Sequence, residues 1–212
     1  MTDPILATEG LSKSFGALKA TQALSIDLRP GALHALIGPN GAGKSTLIKQ
    51  IAGGLKPDSG RVYLAGQDVT ALPTPVRARL GLGRPFQVSA LAMEDTVLQT
   101  AVLGALGAEG NPVRLFRPAL GDRALRAAAE DALERVGLSD HRATRTAELS
   151  HGQRRLLEVA VALTLKPKAF VMDEPMAGLG ASGSGRLTCF LDMLRHDAPM
   201  LLVVHDLVSV FA

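Results

Sequence analysis

The first thirty residues alternate short apolar runs with turns: Pro4-Ile5-Leu6, then Leu11 to Ala20, then Ala23 to Gly31. This pattern predicts antiparallel strands. Leu33 to Ile37 (LHALI) is a short continuous apolar run ending on Gly38, which predicts a buried strand. From Lys44 onward, apolar Leu47, Ile48 and Ile51 recur at helical spacing until Gly53-Gly54, a helix with a glycine exit. The KPDSG stretch from Lys56 is a turn, and RVYLAG after it reads as another strand. Between Gln87 and about Leu149 the pattern is helical. Leu125, Ala128, Ala129, Ala132, Leu133 and Val136 fall three and four apart before Gly137. Strand KAFVM from Lys168, helix Ser184 to Leu194 and strand MLLVV from Met200 complete the chain.

Short apolar strands alternating with helices predict an α/β fold around a parallel sheet, preceded by an antiparallel β region. The expected organisation is a single domain. Its core comprises about 1–87 and 154–212, and a helical lobe at about 88–153 is inserted into it. No internal repeat or low-complexity tract interrupts this reading.

Composition narrows the function classes. At 212 residues the chain can bury a full core. Aromatics are 3% and Trp is absent, which argues against stacking platforms for single-stranded nucleic acid. Nine arginines fall between Arg114 and Arg155, but Asp122, Glu130, Asp131, Glu134, Asp140 and Glu148 are interspersed, as on a solvated helical face. No nucleic-acid partner is expected. Cys189 is the lone cysteine, so an intrachain disulfide is excluded and a reducing compartment is expected. The N-terminus lacks the basic start and apolar run of a signal peptide, and no apolar stretch has the length of a membrane span.

Two stretches carry chemistry. Gly38-Pro39-Asn40-Gly41-Ala42-Gly43-Lys44-Ser45-Thr46 has the GxxxxGK[ST] pattern between a predicted strand and a predicted helix. Its glycines let backbone N–H groups curl round phosphates, and the helix N-terminus adds partial positive charge. Lys44 is placed to reach the β- and γ-phosphates, and the Ser45 hydroxyl to bind Mg²⁺. Asp173-Glu174 ends an apolar strand, which delivers both carboxylates to the ligand-binding edge of a parallel sheet. Asp173 suits a Mg²⁺ ligand, direct or through water; Glu174 suits the group that orients attacking water. Gln87, after Arg84, could touch Mg²⁺ or water, or be a surface or capping residue. His205, beyond LLVV, lies on the same sheet edge or is structural.

Leu149-Ser150-His151-Gly152-Gln153 is the less obvious element. Ser150 suits an N-cap and Gly152 leaves room for backbone approach, which makes a second anion-receiving helix N-terminus or an ordinary capped helix. One triphosphate needs one cradle, so a second makes sense where it faces a nucleotide held by another subunit.

In this order GPNGAGKST, Gln87, LSHGQ, AFVMDEP and His205 resemble the ATP-binding-cassette ATPase family, and LSHGQ resembles its diagnostic signature. The resemblance implies two subunits, alike or merely related, sandwiching two ATP molecules. Ser150, His151, Gly152 and Gln153 would face the partner's nucleotide. It also implies that Phe15 stacks on adenine, that Gln87 and the helical lobe meet integral membrane permease subunits, and that His205 holds the γ-phosphate. Glu174, His205 and Gln87 would be the catalytic group; Ser45, Gln87 and Asp173 would hold Mg²⁺.

LSHGQRRLLEVAVAL, DEPMAGLG, Phe15-Gly16 and RPFQ are similar to ATPases of branched-chain amino-acid and urea importers, which work with an extracytoplasmic solute-binding protein. The implied location is peripheral, on the cytoplasmic face of the cell membrane. The rival expectations are a non-transport member of the same superfamily and an ATP-binding subunit with little hydrolysis. Three departures stand out: His151 in the signature where Gly is commonest, Val161 in place of a frequent Arg, and Gly180 in place of an acid or amide. The C-terminal end, Phe211-Ala212, is expected to be shortened relative to such ATPases, leaving an uncovered sheet edge.

Overall fold

The computed structural model describes residues 3–85, 91–108, 119–176 and 181–204. Strands β1 (Leu6–Phe15), β2 (Leu18–Leu28), β4 (Ser59–Leu64) and β5 (Gln67–Asp68) form an antiparallel sheet in the order β2-β1-β4-β5. Strands β3 (Leu33–Ile37), β6 (Leu82–Gly83), β7 (Ala169–Asp173) and β8 (Met200–Val204) form a parallel sheet in the order β3-β8-β7-β6. The described residues form an α/β molecule of two sheets and several helices.

The parallel sheet explains why its strands read as unbroken apolar runs. Along β7 and β8, Ala169, Val171, Leu201 and Val203 face one apolar cluster, while Phe170, Met172, Met200 and Leu202 face another. Period-two alternation with both faces covered leaves no polar position in residues 169–172 or 200–204. The first cluster lies between the sheets and receives Leu47, Ile48 and Ile51 of α1 (Lys44–Ile51), each no more than 1% exposed. Burying each of those side chains contributes about 1.5–3 kcal/mol, which fixes the helix that opens at Lys44.

The second cluster gathers α3 (Val97–Ala108), α4 (Arg123–Arg135), α5 (His151–Leu163) and α6 (Ala181–Leu194). The expected α4 stripe is seen, with Leu125, Ala129, Ala132 and Leu133 buried, and Asp122 caps the helix by accepting from Ala124 and Leu125 N–H. Short α2 (Thr74–Arg79) leads into β6.

One expectation needs correcting. The LHALI strand is not buried: β3 ends the sheet order among the described residues, and Ile37 is 42% exposed. An apolar run alone does not tell a central strand from an edge one.

Candidate nucleotide site

The phosphate loop joins β3 to α1. Gly41 and Gly43 have φ of 82° and 88°, left-handed values that side-chain-bearing residues rarely adopt. At Gly43 a second constraint adds to the first, because a Cβ there would stand 1.9 Å from the Ala20 carbonyl oxygen of β2. The antiparallel sheet therefore presses directly on the loop. Gly43→Ala is expected to cost at least about 2 kcal/mol, by strained backbone plus displacement of β2. Urea denaturation and ADP titration together check this; an unchanged midpoint contradicts the contact.

Lys44 is 8% exposed, and its ammonium donates to the Pro39 carbonyl at 2.8 Å and also to the Gly38 carbonyl. The charge is thus held inside the loop at the N-terminus of α1, where the helix adds positive potential of its own.

Phe15, Leu18, Ala20, residues 40–46 and Glu174 line one cleft of about 330 Å³. Phe15 and Leu18 are 49% and 65% exposed, apolar surfaces left at its mouth. A tether behind Phe15 fixes the end of β1: the Asp58 carboxylate accepts from Lys13 Nζ at 2.6 Å and from Ser14 N–H at 2.7 Å. Those two bonds, the Lys13 contact first, hold the Asp58 carboxyl below its usual range. Lys13 also lies 5.8 Å from the Phe15 ring centroid. Leu18, Ala20 and Asp58 carried no motif signal; an exposed apolar pair flanking Gly16-Ala17 was the one local hint.

Glu174 reaches the cleft from the sheet edge with a φ of 51°, uncommon for a residue with a side chain. Its N–H donates to the Val203 carbonyl of β8 at 2.9 Å, so strand pairing holds the strained residue in place. Beside it, Asp173 ends β7. One hydroxyl (Ser45) and one carboxylate (Asp173) suit Mg²⁺, which keeps waters and phosphate oxygens as its remaining ligands. Arg84 follows β6 with its Nε buried; burial lowers its pKa below the usual arginine value, and the Asp173 charge opposes that shift.

The Ser150 turn does not line this cleft. Ser150 caps α5 with a full capping box: its Oγ accepts from Gln153 N–H at 3.3 Å, and Gln153 Oε1 accepts from Ser150 N–H at 2.9 Å. Gln153 Nε2 also meets His141 Nε2 at 2.9 Å, while His151 is exposed. Gln87, Gly180 and His205 lie outside the described residues.

The model of the ABC transporter family matches residues 21–177, which span the phosphate loop, the Ser150 turn and Asp173-Glu174. The chain belongs to the ABC transporter family. It is 34% identical to the high-affinity branched-chain amino acid transport ATP-binding protein LivG of Escherichia coli (strain K12), over 98% of this chain and 84% of that one. It is 36% identical to the ribose import ATP-binding protein RbsA 2 of Streptomyces avermitilis, over 98% of this chain but 40% of that longer protein. Among solved structures, the ADP conformation of MJ1267, an ATP-binding cassette of an ABC transporter, superposes with a TM-score of 0.88 at 34% identity. That match covers 99% of this chain and 84% of the other. The two-sheet architecture is that of the ATPase cassettes of ABC transporters.

Proposed function

We propose that this ABC-family chain binds and hydrolyses Mg-ATP to power a membrane permease for solute import, with branched-chain amino acids the favoured solute class. The cleft shared by the phosphate loop, Phe15 and Glu174 carries the ATPase reading. The solute class rests on the LivG likeness, which extends over 84% of that protein against 40% of the ribose protein.

Phe15 offers its face to adenine, and Lys44 leaves the Gly38 and Pro39 carbonyls for phosphate oxygens. Ser45, Asp173 and Gln87 would hold Mg²⁺, which when bound would neutralise developing phosphate charge. Glu174 orients and polarises the attacking water, and His205 contacts the γ-phosphate. The lobe at about 88–153 transmits closure and opening to permease subunits, fed by an extracytoplasmic binding protein. The chain then sits peripherally on the cytoplasmic face of the membrane.

One chain completes one cradle. The capped N-terminus of α5, with Ser150, His151, Gly152 and Gln153, serves a nucleotide held by a second ATPase subunit, identical or related. Sedimentation of Glu174→Gln protein tests this. Mg-ATP is expected to convert monomer to dimer, and adding Ser150→Arg to abolish the conversion. A chain that binds ATP yet stays monomeric removes the head-to-tail homodimer from the reading.

A further inference from the structure

Gln153 spends both ends of its side-chain amide inside the subunit. Its Oε1 accepts from Ser150 N–H at 2.9 Å, and its Nε2 lies 2.9 Å from Nε2 of His141. A backbone N–H can only donate, so the amide has one orientation, oxygen to Ser150 and nitrogen to the imidazole. The amide nitrogen also only donates. His141 Nε2 is therefore the acceptor, which puts the ring proton on Nδ1. The two hydrogen bonds of the capping box are exposed, whereas the bond to His141 is part-buried. Water competes least for that third bond, so the ring holds the amide more firmly than the cap does by itself.

The ring stands on a fixed mount. In the turn Ser139–His141, His141 N–H donates to the Leu138 carbonyl at 3.0 Å, and the His141 carbonyl accepts from Thr144 N–H at 2.8 Å. The carbonyls of Arg142 and Thr144 accept from Leu98 and Val97 N–H, at the start of α3. Backbone bonds thus hold the turn, and among the described residues Gln153 is the hydrogen-bond partner of the imidazole. The capping box in turn occupies the N–H groups of Ser150 and Gln153. Those of His151 and Gly152 remain as the outward donors of the first turn of α5.

We propose that His141 is a positioning residue for the nucleotide held by the second subunit. By fixing Gln153 in the capping box it aims the His151 and Gly152 N–H groups, and the field of the helix end, at a phosphate across the interface. This rests on the head-to-tail reading above. Gln153 acts through the cap rather than on the nucleotide itself. Without the imidazole the amide turns, the Ser150 N–H loses its acceptor and the first turn frays. The donors then have to be reordered as the two subunits close, which weakens closure and leaves the cradle around Lys44 untouched.

Two measurements on the full chain test this. The first locates the proton. With ¹⁵N-labelled histidine at alkaline pH, the His141 resonances, assigned by their loss in His141→Ala, are expected to show Nδ1–H and a bare Nε2. Gln153→Glu keeps one oxygen for Ser150 N–H but sets a second against the ring, so the His141 proton should then appear on Nε2. A histidine that merely fills space has no reason to follow that change. A wild-type ring protonated on Nε2, or a tautomer indifferent to Gln153→Glu, overturns the proposal.

The second follows closure by sedimentation in the Glu174→Gln background. His141→Ala is expected to weaken Mg-ATP-driven dimerisation about 5-fold, the worth of one neutral hydrogen bond, while the ATP affinity of the single chain changes less than about 2-fold. His141→Gln, whose amide oxygen can accept where Nε2 does, should restore dimerisation. His141→Lys, which can only donate, should not. Undiminished dimerisation of His141→Ala, a loss that His141→Gln does not recover, or an equal loss of ATP affinity overturns the proposal and leaves the nucleotide reading standing. A Glu174→Gln parent that binds ATP yet stays monomeric sinks the head-to-tail homodimer and this proposal together.

Discussion

Glu174→Gln is expected to lower steady-state phosphate release by about 10²–10³-fold while leaving ATP affinity within a few-fold of wild type. Gln keeps the size and one acceptor oxygen of Glu but has no charge with which to polarise water. The phosphate loop that supplies most of the binding is untouched. The backbone supports assigning this residue the chemical step. A φ of 51° is unfavourable for Glu, yet the Val203 carbonyl of β8 holds the peptide there. Such strain, of order 1–3 kcal/mol, persists where the surrounding structure over-determines it, and it clusters at sites of function. Here it turns the side chain off the strand direction, so that Glu174 lines the cleft with residues 40–46. Phosphate release and nucleotide binding measured on the same preparation separate the cases. Equal losses in both would mean that Glu174 is a binding or folding residue and would move the water-activating role elsewhere.

How much of this the sequence carried depends on how local each determinant is. The phosphate loop was legible because all of its requirements lie within nine consecutive residues: glycines where φ is positive, then Lys44 and Ser45 at the helix start. The α4 stripe and the Ser150 cap were legible for the same reason, since three- and four-residue spacings create them. The carboxylates at the end of β7 followed from one apolar run. What escaped was set by partners distant in sequence. The edge position of β3 depends on where β8 pairs, more than 160 residues later. The 1.9 Å approach that forbids a Cβ at Gly43 comes from Ala20, on a sheet whose docking no local pattern encodes. Asp58 read as part of a KPDSG turn, and only the fold reveals that it anchors the strand end bearing Phe15.

Arg77 escaped most completely, and it carries the largest stability prediction. PTPVRARLG carries no motif, and nothing in its spacing marks either of its two arginines for burial. Yet Arg77 is 1% exposed and spends its guanidinium on four carbonyls. Nε donates to Leu72 at 2.9 Å, Nη1 to Gln50 at 2.8 Å and Ile51 at 2.6 Å, and Nη2 to Thr70 at 2.8 Å. Gln50 and Ile51 close α1, so the cation sits at the negative end of the helix whose other end holds Lys44 and Ser45. Gly53 is bare for the same reason, because a Cβ there would stand 2.7 Å from Arg77 Nε.

Arg77→Met keeps most of the volume but strips four carbonyls of their donor, the two at the end of α1 buried and the other two part-buried. The expected loss is about 3–5 kcal/mol, with Arg77→Lys in between because a single ammonium does not span four carbonyls. Losses of that size approach the whole stability of a domain, so the variant should unfold at much lower urea. Saturating ADP should raise the midpoints of variant and wild type alike by mass action. An Arg77→Met midpoint within about 1 kcal/mol of wild type would show that water or neighbouring donors replace the guanidinium. The phosphate-loop helix would then be held by its apolar face alone.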